Sequence, residues 1–315
     1  MTWVINKTEA ALVQGTEGCE FIIFDKRLGW SGYRAVWRAL ADRRFDALLM
    51  MHASMRANVL SLGIRASRRI GFDKNRARDF QRWFTNERIE PQPRAHVVDG
   101  FFGFVRHLGI ETHEPQWSIP IDDEARSFAA SARATGRPLI VVSPLSSQRS
   151  NNFRNWSVER YTDVCRYAIE THRADIVITG GGRDDEHDYA NKIRGRLGSH
   201  VRSLVGATTL KSLLAVIAEA DAVIAPDSGP VHMAVATGTP AIGLYATSNP
   251  DRTGPYRGRE HIVNEYPKAL QQFLGKSVDD VRWGQRVRDP AALDLISVEA
   301  VCRRIDQVLG GTKRG

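Results

Sequence analysis

Cysteine is scarce. Cys19, Cys165 and Cys302 are the only three in 315 residues, and no two form a CxxC pair. That spacing indicates neither a disulfide framework nor a zinc site, and it fits a reducing compartment. Long apolar runs are also missing; none approaches the ~18 residues needed to span a bilayer. The opening MTWVINKTEA carries acid and polar residues where a secretory signal would have its apolar core. The cytoplasm is therefore the expected compartment. A dinucleotide fingerprint is lacking too: Gly180, Gly181 and Gly182 follow an apolar run without GxGxxG spacing.

With 42% hydrophobic and 25% charged residues the composition is that of an ordinary globular protein. The length suits about two domains. Lys+Arg 44 against Asp+Glu 36 leaves a net charge of +8, which favours an anionic partner such as nucleic acid, anionic lipid or a phosphorylated substrate. No nucleic-acid-binding motif accompanies the charge, which counts against the first. The charge concentrates in residues 65–88, where Arg65, Arg68, Arg69, Lys74, Arg76, Arg78, Arg82 and Arg88 face only Asp73, Asp79 and Glu87, with Phe72, Phe80, Trp83 and Phe84 interleaved. Two readings stand: a groove for an anionic acceptor at a membrane surface, or a solvated helix whose aromatics face the core.

Short apolar runs alternate with helical patterns along the whole chain. Strands are predicted at 2–5, 21–24, 47–51 and 69–72, and helices at 33–42, up to residue 62, and at 97–109. Pro120 and the acids Asp122, Asp123 and Glu124 then open an alanine-rich helix that ends at Gly136-Arg137-Pro138, a predicted domain boundary. A second series has strands at 138–142, 175–179, 201–204, 222–225 and 240–245, and helices at 156–171, 184–197, 210–220, 231–236 and 298–309. This alternation predicts an α/β protein of βαβ units with parallel sheets. Residues 1–137 and 138–297 form two doubly wound domains, and 298–315 a terminal helix and tail. The carboxyl ends of both sheets would face a cleft, where open α/β sheets bind ligands.

The stretch AVIAPDSGPVHMAVA, residues 222–236, runs from strand through a sharp turn into a helix. A carboxylate, a hydroxyl and a glycine at a helix start suit a polyhydroxyl or phosphorylated ligand, because the first-turn amides favour anions. Alternatively, Asp227 or Ser228 is only an N-cap.

Read in order, Pro226-Asp227-Ser228-Gly229-Pro230-Val231-His232-Met233-Ala234, Gly238-Thr239-Pro240, Leu244-Tyr245, Asn249-Pro250 and Gly254-Pro255 resemble the C-terminal signature of the bacterial lipopolysaccharide heptosyltransferases, glycosyltransferase family 9. The Ser-rich loop 143–156, the strand end 179–182 and Arg68-Arg69-Ile70-Gly71-Phe72-Asp73 are similar to that family as well. The resemblance implies a GT-B fold of two Rossmann-like domains, an N-terminal acceptor domain and a C-terminal donor domain. It implies metal-free, inverting transfer of a heptose from ADP-heptose to the Kdo-lipid A inner core, with no cofactor. Asp227 would hold the sugar hydroxyls, and the amides around Ser228 and Gly229 would face the diphosphate. Arg154, with Arg149 as its rival, would offset leaving-group charge. Ser146, Ser147, Thr179, Gly180 and Gly181 would line the donor phosphates and nucleotide, and His232 would add a contact or only orient the turn. Arg65, Arg68, Arg69, Arg76 and Arg78 would meet the acceptor, with peripheral contact at the cytoplasmic face of the inner membrane.

One departure stands out. The family opens with a strand and a polar glycine-containing loop whose aspartate resembles the general base an inverting transfer needs. Residues 2–5 resemble the family's second strand, and none of Glu9, Glu17, Glu20 or Asp25 sits in a matching context. The expectation is either a chain that lacks about one βα unit of an active enzyme or a nucleotide-sugar-binding homologue without turnover. Either way, an unpaired strand edge and exposed apolar surface are expected in the first domain.

Overall fold

A computed structural model of the chain describes residues 1–112, 114–133, 136–146 and 153–311. It divides into two compact units, Met1–Pro120 and Ile121–Gly315. The division therefore falls before the boundary expected at residue 137. The reason is α5 (Asp123–Ala132), which packs on α8 (Leu210–Ala218) of the second unit. Arg133, its C-cap, pairs with Asp221 at 3.0 Å, and Arg202 donates to the Ser131 carbonyl at 2.9 Å. The terminal helix α12 (Val298–Gly311) is likewise part of the second unit: Val301 and Ile305 are fully buried in its core, and Asp306 accepts from Tyr167 at 2.8 Å.

The second unit is a six-stranded parallel sheet. Its strands are β6 (Leu139–Val142), β7 (Asp175–Ile178), β8 (Val201–Ser203), β9 (Ala222–Pro226), β10 (Ala241–Tyr245) and β11 (Val263–Asn264), in the order β11-β10-β9-β6-β7-β8. Every residue of β6, β9 and β10 is buried. Such strands are covered on both faces and so read as unbroken aliphatic runs. The intervening helices are α6 (Val158–His172), α7 (Asp184–Leu197), α8, α9 (Gly229–Thr237), α10 (Pro250–Thr253) and α11 (Tyr266–Leu274). Ser157 and Thr209 cap α6 and α8 through their hydroxyls, as sequence favours at helix starts. From β6 the chain steps outward to β7 and β8, then returns to place β9 on β6's other side. The order reverses between β6 and β9.

Of the three glycines after β7, Gly182 has a structural job. Its φ is +91° and an added Cβ would stand 2.7 Å from the Gly206 Cα. Gly182→Ala is expected to destabilise the second unit by about 2–3 kcal/mol, from left-handed strain plus overpacking. Urea unfolding measures this, and an unchanged midpoint would refute it.

The first unit holds two separate parallel pieces. β1 (Thr2–Asn6) pairs with β2 (Glu20–Phe24) from Thr2 opposite Glu20, and β3 (Phe45–Leu49), β4 (Ala66–Gly71) and β5 (Glu87–Arg88) form the other sheet. The helices α1 (Lys7–Val13), α2 (Trp30–Ala39), α3 (Met55–Ser61) and α4 (Val97–His107) connect and flank them. Val4, Ile22 and Phe24 share one apolar cluster with Phe45 and Leu48, closed by Val36 of α2 and Leu40 just after it, with Leu60 and Ile64. Among the described residues no strand joins β1 to β3, and β3 is only half-buried along its length. Every exposed large hydrophobic side chain among them, except Leu274, lies in this unit, Trp3, Ile23 and Trp30 included. Residues 65–88 are not a helix. They form β4, a loop, a short 3-10 turn at Gln81–Trp83 and β5, because extended Ala66–Gly71 pairs with β3.

Candidate active site

At the reversal between β6 and β9, the carboxyl ends of neighbouring parallel strands bring polar residues together. Ser143 and Ser146 follow β6, Thr179 follows β7, Asp227 and Ser228 follow β9, and Ser248 follows β10. This is where a doubly wound sheet opens a crevice for ligands.

Asp227 is the centre of the group and is 6% exposed. Its Oδ2 accepts from the Ser248 hydroxyl at 2.8 Å and lies 3.7 Å from Arg154 Nη1. The same Arg154 nitrogen donates to the Asp227 main-chain carbonyl. A carboxylate this deep requires partners, and here one oxygen is held while Oδ1 accepts no hydrogen bond from the described residues. It remains available to a ligand hydroxyl.

In the turn after Asp227 neither the Asp227 nor the Ser228 side chain caps the helix that follows. The Ser228 hydroxyl donates back to the Pro226 carbonyl at 3.0 Å, and no side chain caps α9. Pro230 in the first turn brings no N–H of its own. A Cβ added at Gly229 would meet nothing within 4 Å, so the positive end of α9 opens onto clear space beside Asp227. His232, one turn on, is solvent-accessible. Desolvation by its neighbours lowers its pKa, and the Asp227 charge partly offsets this. Tyr245 at the end of β10 is fully buried, and its hydroxyl has no hydrogen-bond partner among the described residues. Desolvation and then the charge of Asp227 push its pKa well up, with Arg154 opposing.

Other donor residues expected from the sequence are placed nearby with their side chains already engaged. Ser146 donates through its amide and hydroxyl to Asn155 Oδ1 at 3.1 and 3.3 Å. The Thr179 hydroxyl contacts that of Ser143. Gly180 and Gly181 abut the buried carboxylate of Glu186, 3.3 Å from where each Cβ would stand. Ser147 and Arg149 lie outside the described residues. Ser248 escaped sequence reasoning. The only signal was a polar run, Thr247-Ser248-Asn249, directly after an apolar strand. No cluster of three His, Cys, Asp or Glu side chains suited to a metal occurs among the described residues.

The five arginines grouped by sequence as one acceptor surface separate into three kinds. Arg69 points inward: it donates to the carbonyls of Phe84 (2.9 Å), Ile64 (3.0 Å) and Ser61 (2.8 Å) and to the Ser61 hydroxyl (2.8 Å). Arg68 grips Glu87 at 2.9 and 2.8 Å, and His107 binds the same carboxylate at 2.8 Å. These partners hold the Glu87 carboxyl down to about 2 from 4.5, so their contribution is lost only as pH falls through that window. Arg76 pairs with buried Asp73 and lies over the Phe72 ring. Arg65 and Arg78 are exposed, with no carboxylate partner among the described residues. Arg69 is thus a clamp of the fold. Arg69→Ala is expected to cost about 2–3 kcal/mol of stability, since charged hydrogen bonds are lost and carbonyls stranded. Arg78→Ala should leave the melting temperature unchanged and raise the acceptor KM severalfold. Thermal melts with acceptor titrations decide this, and the reverse pattern would overturn the sorting.

Residues 33–278 match the model of glycosyltransferase family 9 (heptosyltransferase). The chain is 35% identical over 301 residues to the lipopolysaccharide core heptosyltransferase OpsX of Haemophilus influenzae, spanning 96% of this chain and 86% of that protein. Among solved structures, the family 9 glycosyl transferase of Veillonella parvula aligns over 99% of this chain and 88% of its own, with a TM-score of 0.78 at 21% identity. Escherichia coli heptosyltransferase WaaC with ADP aligns over 98% and 89%, with a TM-score of 0.72 at 17% identity. The shared architecture is the GT-B fold, α/β with parallel sheets.

Proposed function

The chain belongs to glycosyltransferase family 9, the heptosyltransferases, and from that premise we propose that it moves a heptose from ADP-heptose onto the inner core of a lipopolysaccharide precursor. The observation that carries the reading is Asp227, one oxygen fixed by Ser248 and the other open beside the uncapped start of α9.

In this transfer the acceptor hydroxyl attacks the anomeric carbon from the face opposite the diphosphate. The bond from that carbon to the diphosphate oxygen breaks, ADP leaves with the electron pair, and the hydroxyl proton passes to a base. Asp227 Oδ1 accepts from a heptose hydroxyl and orients the ring. The amides opening α9 and the Arg154 guanidinium face the departing diphosphate, where negative charge grows; fixed donors in a partly buried site are effective at that position. His232 adds a contact to the donor or orients the turn. Arg65 and Arg78 meet the phosphates and carboxylates of the acceptor. The acceptor is a membrane lipid, which puts the enzyme in peripheral contact with the cytoplasmic face of the inner membrane. Among the described residues no helix is long and apolar enough to cross a membrane.

The test is ADP release with ADP-heptose and a heptose-deficient lipopolysaccharide acceptor, in buffer containing EDTA. Acceptor-dependent release supports the reading. Tight ADP-heptose binding without release would make the chain a donor-binding protein instead, and activity only with another nucleotide sugar would reassign the donor.

A further inference from the structure

A second surface feature stands on the first unit. Asp79 and Phe80 are consecutive non-glycine residues in the left-handed region, with φ of 52° and 61°. That geometry is costly and persists only where neighbours hold it. Here Asn58 Nδ2 donates to the Asp79 carbonyl at 2.7 Å, and Asp79 Oδ2 accepts from the Met55 amide at 3.0 Å. Buried Gln81 donates to the Met50 carbonyl at 2.8 Å and accepts from the Phe72 amide at 3.1 Å. The turn is thus strapped to α3 and to the ends of β3 and β4.

What it presents is apolar. Phe80 and Trp83 are 57% and 69% exposed and stack on each other, centroids 4.9 Å apart and planes 26° apart. The Arg82 guanidinium lies 5.9 Å from the Trp83 ring centroid. Arg78 and Arg82 are exposed, with no carboxylate partner among the described residues. Asp79, the acid in the turn, is engaged with the Met55 amide.

We propose that the Phe80–Trp83 pair, flanked by Arg78 and Arg82, is a docking knob for the surface of an anionic phospholipid bilayer. The rings would enter the boundary between headgroups and acyl chains, while the guanidiniums stay with the phosphates, as amphipathic side chains do at membrane interfaces. Two rings bury about 300–500 Å², well below the roughly 800 Å² that one side of a stable protein interface covers. That disfavours a protein partner. The proposal extends the reading above, in which the acceptor is a membrane lipid. It is tested by binding alone, so either can fail without the other.

The full chain is sedimented with vesicles of phosphatidylcholine, alone or mixed with phosphatidylglycerol. Binding is expected only to the mixed vesicles, and it should weaken as salt is raised. Phe80→Ser/Trp83→Ser should weaken it about tenfold even at low salt. Arg78→Gln/Arg82→Gln should weaken it about tenfold and flatten its salt dependence. Trp30→Ser, at another exposed tryptophan of the same unit, should bind as the parent does. If the double aromatic variant loses the parental melt, Trp83→Ser alone is used. The proposal is overturned if the parent binds neither vesicle or binds both equally, or if the aromatic variants bind as the parent does. Self-association abolished by those variants, with vesicle binding intact, would replace the bilayer by a second copy of the chain.

Discussion

Asp227→Asn is expected to lower kcat/KM for acceptor-dependent ADP release by about 10²- to 10³-fold, equivalent to about 2.7–4 kcal/mol of transition-state stabilisation. The substitution preserves shape, and the amide oxygen can still accept from Ser248, which now meets Asp227 at 2.8 Å. What disappears is the charge that strengthens the hydrogen bond to the sugar and the attraction to Arg154, 3.7 Å away. A melting temperature near that of the parent separates this effect from unfolding. His232 offers a second readout. Asp227 supports its pKa against desolvation, so in Asp227→Asn the imidazole should titrate lower still, followed by its proton resonances. Activity within twofold of the parent would remove Asp227 from the site.

Arg154→Ala is the second large effect, about 10²-fold in kcat, the usual loss when a fixed donor at a developing charge is removed. The guanidinium touches both the carboxylate and the main-chain carbonyl of Asp227. Its removal therefore also loosens the turn that carries the Asp227 carboxylate. Arg154→Lys should recover only part of the loss, because a single ammonium lacks the planar fork of donors. Pre-steady-state ADP release isolates the step. Should Arg149→Ala abolish release while Arg154→Ala does not, the leaving-group role belongs to Arg149.

Much of the second unit could be read directly. Its strands are buried on both faces, so stretches such as Leu139–Val142 and Ala222–Pro226 are continuous aliphatic runs, and Asp184–Leu197 is a helix from end to end as its pattern predicts. Helices α1 and α11 carried weaker signals. Neither has a side-chain cap, although Asn6 stands at the start of α1 and a proline lies in the first turn of α11. The break at Gly136-Arg137-Pro138 was visible, yet it is not the division between units. That depends on α5 finding α8, about eighty residues further along the chain.

By itself the sequence determined the α/β class, the alternation of strand and helix, and the placement of Asp227, Ser228 and Gly229 between a buried strand and a helix. These are local matters, decided by apolar periodicity and turn chemistry within a dozen residues. Only the tertiary structure decided what those residues touch. Ser248 reaches Asp227 because β10 lies beside β9, and Ser228 turns to the Pro226 carbonyl rather than capping α9. Arg69 is drawn inward by carbonyls of Ser61, Ile64 and Phe84, while Arg65 and Arg78, of the same chemical type, stay outside. Hydrogen-bond partners set the role of a polar side chain, and those partners come from elements distant in sequence.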